Sequence, residues 1–458
     1  MSAQIRRVLD AAKAEYVTCG YADLNGDLRG HLVGRKTFEA SLKSGLSLIP
    51  EIMVLGVNDQ IHIPQGYLSF DLPFSDEKAV LAASNARRLP DYPAGKDLFF
   101  FLDFPEGGSG SLWAPRQIYG RAEDRMRALG FSPVVGAEYE FRVYAETEQT
   151  ARAKDYKNLE MAMVRAGYMN ITRQSQGIEF LSGLLDMCKT LDIDVASLHW
   201  EHGEGMLEIA LSHKKGIHAP DNSLLFKAFA KVYADRHGHL ASFMAKPRLD
   251  EDGSSQHVHL SLVSANGRNV FYDAKDADGM SQVQRYFIGG VQKLLPELML
   301  MVAPNPNSWR RFVADAFAPL AATWGIENRS TSVRVIPGGR RSQRLEFRPA
   351  GADTNAYLVQ ACLLGMGAWG IERKLEPLKP IEKSAYLRQS RLPKSIKFPT
   401  GFKQAISAFR GSKAARELFG DDFVEMYAGT RQAQFDELAD KRGRISHAAE
   451  LKTFLAGA

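Results

Sequence analysis

The chain has 458 residues, with 58 Lys and Arg against 53 Asp and Glu, a formal net charge of +5, 45% hydrophobic and 24% charged residues. That composition builds a large core over two or three domains, excludes a disordered or collagen-like chain, and gives little support to nucleic-acid binding. Three cysteines, Cys19, Cys188 and Cys362, are too few, too far apart and odd in number for a disulfide framework or a Cys-rich metal knuckle, which fits a reducing, cytoplasmic home.

The first residues, MSAQIRRVLDAAKAEY, carry charge where a secretory signal needs an apolar stretch, and predict an amphipathic helix. Residues 16–33 alternate apolar and polar around Asn25-Gly26 and predict a hairpin. MVLGV (53–57), IHIP (61–64) and the apolar LFFFLDF (98–104) extend a small β-rich unit. A boundary is expected near residue 105, giving domains 1–105 and 106–458, with GGSGSLWAP (107–115) reading as a linker. A helix from Pro115 to Gly130 opens the larger part, and further helices are expected at about 157–166, 176–190, 222–236, 282–300 and 354–374 between short strands. Without regular βαβ alternation the class is α+β. No apolar segment reaches the ~20 residues that cross a bilayer, so no membrane span is predicted.

Four predicted strands in the larger part carry charge on one face. In VVGAEYEFRV (134–143) Glu138, Glu140 and Arg142 share a face opposite Tyr139, Phe141 and Val143. In HWEHGEGMLEIAL (199–211) Glu208 lies between Leu207 and Ile209, and Glu201 lies across a Gly-Glu-Gly bend from it. HVHLSL (257–262) puts His257, His259 and Ser261 on one face, and RLEFR (344–348) does the same with Arg344, Glu346 and Arg348. One such strand is an ordinary half-solvated strand; four suggest a concave sheet lining one cavity. Five carboxylates with imidazole and no thiolate favour Mg²⁺ or Mn²⁺ over structural zinc. Metals beside guanidiniums suit phosphoryl transfer, and no GxxxxGK[ST] loop is present to hold the nucleotide.

The motifs YADLNGDLRG, GAEYEF, FMAKPRLDEDGSSQHVHLSL, NSWRRFV, ENRSTSVRV and RLEFRPAGADTNAYL, in this order over most of the chain, resemble the glutamine synthetase superfamily. Local sequences such as ASFMAKP and APLAATWG look most like its γ-glutamylputrescine and γ-glutamylalkylamide synthetase branch. The resemblance implies a small N-terminal β-grasp-like domain and a larger catalytic domain built on a curved antiparallel sheet with helices. It further implies a dodecamer of two stacked hexameric rings, and an ATP-dependent ligase that activates glutamate as a γ-glutamyl phosphate, with two or more Mg²⁺ or Mn²⁺ ions per site. By motif, Glu140, Glu201 and Glu208 would ligate one metal, and Glu138, His257 and Glu346 the other. Gly253, Arg311 and Arg348 look like glutamate contacts; His259, Ser261, Arg334, Arg341 and Arg344 look like ATP contacts. Arg329 and Arg311 look like the groups on the transferring phosphoryl.

Departures from the family pattern bear on the nucleophile. Where ammonia-using members carry a glutamate that helps deprotonate ammonium, this chain has Phe317, which leaves Asp315, the one acidic residue of that loop, as the catalytic candidate there, and an N-terminal FDGSS motif is absent. Ammonium needs acceptors and negative charge, and a phenyl ring supplies only a π face and apolar surface. An amine with an apolar substituent is therefore expected, with Phe317 and Trp324 as its pocket walls; Asp315 or Glu51 would serve the far end of a diamine. Met206 replaces a glutamine of the metal loop, and Asp252 replaces an asparagine of the glutamate loop. The alternatives are glutamine synthesis from ammonia with a relocated base, and a catalytically silent sensor or scaffold, against which the complete set of six ligands argues.

Overall fold

Alternation in residues 16–34 produces the expected hairpin: β1 (Tyr16–Ala22) and β2 (Leu28–Gly34) pair antiparallel. Their connecting turn is held by Asp23, whose carboxylate accepts from the backbone N–H groups of Asn25 and Asp27 and from Arg29, each at 2.9 Å. The computed structural model describes residues 2–60, 74–82, 85–162, 167–314 and 316–458. Strands β3 (Leu46–Leu48), β4 (Glu77–Leu81), β5 (Arg87–Arg88) and β6 (Leu98–Asp103) complete a six-stranded mixed sheet in the order β2-β1-β6-β4-β3, with β5 also on β6. Its central pair, β1 and β6, runs parallel, and the helix Arg35–Ser44 buries Phe38 against Phe100.

Strand β6 is apolar on both faces because each face has its own core. Leu98, Phe100 and Leu102 pack into a small cluster with Phe38, whereas Phe99 and Phe101 pack into the main core of the larger part. The expected helix at 2–11 forms. MVLGV does not extend the sheet: Pro50–Val54 is a 3₁₀ turn with Pro50 at its start, a position that proline's fixed φ favours. IHIP lies outside the described residues. GGSGSLWAP is no slack linker, since Ser109–Trp113 is a short helix with Gly110, Ser111 and Trp113 buried. Glu77 caps that helix by accepting from Ser109 N–H at 2.8 Å and Gly110 N–H at 3.1 Å.

The second sheet has nine strands: β7 (Phe131–Tyr144), β8 (Val195–Trp200), β9 (Met206–Leu211), β10 (Lys214–Lys215), β11 (Leu240–Ser242), β12 (Gln256–Ser264), β13 (Trp324–Ile326), β14 (Val333–Ile336) and β15 (Arg344–Phe347). The order is β13-β14-β15-β12-β7-β9-β8, with β10 and β11 pairing with β7, and all pairs but β13–β14 run antiparallel. The curled, mostly antiparallel sheet with helices on its apolar face is the expected α+β architecture. Tyr139 and Phe141 point into that face and meet Phe226 and Phe243 with ring centroids 4.8–6.0 Å apart.

Helices Pro115–Ala128, Ile178–Thr190, His218–Arg236, Gln282–Leu298 and Ala356–Glu372 fall where the periodicity puts them. The expected helix at 157–166 is absent from its described part. Thr147 caps a helix at Glu148–Ala153 instead, and Asp155, Tyr156 and Asn158 then take positive φ, which ends it. Four C-terminal helices, Phe402–Gly411, Lys413–Phe419, Asp421–Leu438 and His447–Phe454, lie beyond the last expected element. Among the described residues no helix is long and apolar enough to cross a membrane.

Candidate active site

The register of the nine-stranded sheet assembles the charged faces. His257 pairs with Glu138, and Glu140 pairs with Glu208, which pairs in turn with His199. Arg334 pairs with Glu346, which pairs with His259. Period two then puts these side chains on one face. The side chains of Glu138, Glu140, Glu201, Glu208, His257 and Glu346 line one cavity of about 380 Å³.

Within it, His257 Nδ1 lies 3.4 Å from Glu138 Oε2 and 3.7 Å from Glu346 Oε1, and His259 Nε2 lies 2.9 Å from Glu138 Oε1. Three overlapping groups bring their ligand atoms within 4.8 Å of one another: Glu138, His259 and Glu346; Glu138, Glu208 and His257; His199, Glu201 and Glu208. His199 is a site residue the sequence reading passed over, although it sits one strand repeat before Glu201. Glu140 is bound from outside the cluster, its Oε2 accepting the Ser255 N–H at 2.7 Å.

Electrostatics separate the carboxylates. Burial, reinforced by the charges of Glu138, Glu140, Glu201 and Glu346, pushes Glu208 up to about 9. Burial also opposes ionisation of Glu346, but Arg348 and the two histidines outweigh it and bring it down to about 2. In Glu138 hydrogen bonds from His257 and His259 overcome burial and hold it well below the ordinary range. A hard divalent cation fits this donor set, because it supplies the positive charge that the crowded oxygens around Glu208 lack.

Nine of the remaining expected residues divide between two chambers. Gly253, Phe317, Arg329, Arg334 and Arg348 line the carboxylate cavity. His259, Ser261, Arg341 and Arg344 line a neighbouring chamber of about 660 Å³. Glu138 lines both. Arg344 Nε lies 3.2 Å from His259 Nδ1, so a polar chain runs from the second chamber through His259 to Glu138. Small residues at Gly136 and Ala210 keep that chamber open. Arg334 donates to Glu346 at 2.9 Å and also pairs with Glu327, while Arg341 is an exposed cation on the chamber wall.

Two expected residues stand behind the wall. Arg311 is 2% exposed and donates to Pro349 O at 3.0 Å and Ser255 Oγ at 2.7 Å. It underlies Gly253, where a Cβ would come within 2.6 Å of the Arg311 Cγ. Trp324, expected as an amine-pocket wall, is instead 3% exposed in the main core, its indole N–H donating to Leu378 O at 2.6 Å. Asp315 lies outside the described residues. Glu51 is on the 3₁₀ turn of the small sheet, away from this cavity's lining.

Structure supplies further neighbours. Arg142, wholly buried, donates to Glu204 O and Glu251 Oε2 at 2.7 Å and to Asp252 O at 2.8 Å, tying the two loops that carry Glu201 and Gly253. Asp252 Oδ2 lies 2.7 Å from His202 Nδ1, so the carboxylate that the substitution brings to the glutamate loop has a hydrogen-bonding neighbour. Tyr168, Met169 and Met206 also line the cavity.

Comparison with known proteins bears on the family and the fold. A family model for the glutamine synthetase catalytic domain matches residues 113–449. The chain is 31% identical to type-1 glutamine synthetase 2 of Dictyostelium discoideum, covering 93% of this chain and 81% of that one. It is 31% identical to γ-glutamylethanolamide synthetase GlnA4 of Streptomyces coelicolor, covering 94% and 92%, and 27% identical to a glutamate–isopropylamine ligase of a Pseudomonas species, covering 93% and 92%. The solved structure of a GmaS/ADP complex superposes with a TM-score of 0.81 at 21% identity, covering 96% of each chain.

Proposed function

This chain belongs to the glutamine synthetase family, whose members are ATP-dependent ligases of glutamate with ammonia or an amine, and from that premise we propose that it makes a γ-glutamyl amide from glutamate and an amine, alkylamine or arylamine before ammonia. The observation that carries this reading is Phe317, 65% exposed, on the wall of the carboxylate cavity. Two of the relatives named above join amines to glutamate, which supports it.

In this reading ATP occupies the chamber of His259, Ser261, Arg341 and Arg344, with its phosphates directed toward Glu138. Glu138, Glu140, Glu201, Glu208, His257 and Glu346 hold divalent cations, which would neutralise phosphate oxygens during transfer. The γ-phosphoryl passes to the glutamate side-chain carboxylate, breaking the bond to ADP and forming an acyl phosphate. Arg329 and Arg348 face the charge that develops there, and fork-shaped guanidiniums suit two oxygens at once. Arg311, behind Gly253 and Ser255, holds the glutamate loop in place. The neutral amine attacks the acyl carbon and phosphate leaves.

The test is phosphate release from Mg-ATP and glutamate with ammonium, alkylamines, aniline and putrescine supplied separately. An amine is expected to exceed ammonium in kcat/KM, and Phe317→Glu is expected to move the ratio toward ammonium by about tenfold or more, the value of one well-placed charge partner. Ammonium as the preferred nucleophile of the unaltered protein would assign it to glutamine synthesis.

A further inference from the structure

The carboxylate cavity has an apolar side that metal and phosphate chemistry leave unused. Tyr168, Met169 and Phe317 are 54%, 59% and 65% exposed, and all three line it. Large apolar side chains so exposed inside a catalytic cleft are held there for a ligand or a partner.

Two of the three also sit on unusual backbone. Met169 and Phe317 both take left-handed φ, 49° and 51°, a region that costs a bulky L-residue strain and collects at functional sites. Each is pinned. Met169 N–H donates to Trp200 O at 3.0 Å. On the other side, the Tyr386 hydroxyl donates to Ala318 O at 3.0 Å, next to Phe317.

The polar groups beside them are already engaged. Outside the five clustered glutamates, Asp252 is the one carboxylate among the described lining residues, and it meets His202 at 2.7 Å. The His202 ring stands edge-on to Tyr168, centroids 6.5 Å apart. A second ammonium group placed here would exchange water for two ring faces, a thioether and a carboxylate that already has a partner, less than the paired anion a buried ammonium needs.

We propose that Tyr168, Met169 and Phe317 are specificity-determining residues for the nucleophile, and that they select a primary amine carrying one uncharged, apolar substituent over ammonium and over a diamine. This rests on the amide-ligase reading and sharpens it. An apolar chain gains contact with three side chains that ammonium or methylamine leaves bare.

n-Butylamine and putrescine share a four-carbon chain and differ by one terminal ammonium, so they isolate the claim. With Mg-ATP and glutamate, kcat/KM for n-butylamine is expected to exceed that for putrescine and for methylamine by at least about tenfold. Met169→Ala is expected to lower the n-butylamine value about tenfold more than the methylamine value, mainly through KM. Met169→Asp is expected to raise the putrescine-to-butylamine ratio at least about tenfold, by adding the missing anion. Equal values for the three amines in the unaltered protein, or putrescine ahead, would overturn this inference while leaving the ligase reading standing. Ammonium ahead of every amine, or no phosphate release with any nucleophile, would overturn both. The wild-type comparison decides the matter even if a variant fails to fold.

Discussion

Glu208 shows how a single residue reports on the site. Its carboxyl has an ordinary value of 4.5 and is pushed by burial and by four neighbouring carboxylates to about 9. Between those values the metal-free folded protein binds one proton that the unfolded chain does not, so this group makes stability fall as pH rises from about 5 to 9. Glu346, drawn down to about 2, acts in the opposite sense and contributes stability above pH 4.5 that is lost in acid. A divalent cation replaces the Glu208 proton with charge. The expected result is that Mg²⁺ or Mn²⁺ raises the thermal midpoint more at pH 8 than at pH 6 and that binding releases protons; a metal-induced rise independent of pH would count against the crowded-carboxylate account. Glu140→Ala and Glu346→Ala each remove an expected ligand and are expected to cut phosphate release at least about a hundredfold, with metal affinity falling in parallel by calorimetry. That these six candidate ligands share one cavity was legible before any coordinates, since the strand-face pattern and a family motif name the same residues. His202, Tyr168 and Met169 were not, because nothing local says that residues 168 and 317 line one cavity.

At the scale of elements, alternation was informative wherever one face had to be buried. HVHLSL and RLEFR became neighbouring strands whose apolar residues, Val258, Leu260, Leu345 and Phe347, all enter the main core. The helix expected at 157–166 failed for a reason that side-chain periodicity does not carry, the left-handed backbone at Asp155, Tyr156 and Asn158. The C-terminal helices did leave a signal: Phe402, Ala405, Ile406 and Phe409 are buried at helical spacing. Glycine-rich composition misled in the opposite direction at residues 107–115. Gly110 is there because a Cβ would come within 2.4 Å of the Phe104 ring, not because the chain is loose. Gly110→Val is expected to lower the unfolding free energy by about 1–3 kcal/mol, read from a urea midpoint; an unchanged midpoint would mean that the helix Ser109–Trp113 is dispensable.

In the whole molecule, the small sheet is joined to the catalytic part through buried charge as well as apolar packing. Arg116 bridges Asp103, at the end of β6, and Asp221, in the helix His218–Arg236, at 2.6 and 3.0 Å, and the Tyr357 hydroxyl donates to the same Asp221 at 2.6 Å. Arg116→Ala would leave Asp221, which is wholly buried, and Asp103 without their cation. The expected loss is about 3–5 kcal/mol, with the two sheets unfolding as one transition; two separate transitions in the unaltered protein would show that the parts are energetically independent. The sequence suggests a boundary near residue 105, yet composition alone gives no hint that Phe99 and Phe101 of the small sheet are buried in the larger part's core.

Glu138 borders both chambers. Two ligands bound in chambers that share a wall residue can be joined covalently with a short tether, which replaces a second encounter by an effective concentration in the millimolar range or above. On the proposed assignment of the chambers, a nucleotide linked through its terminal phosphate to a non-transferable glutamate mimic is a design for an inhibitor, and its gain over the separate halves would measure how closely the chambers approach each other in solution.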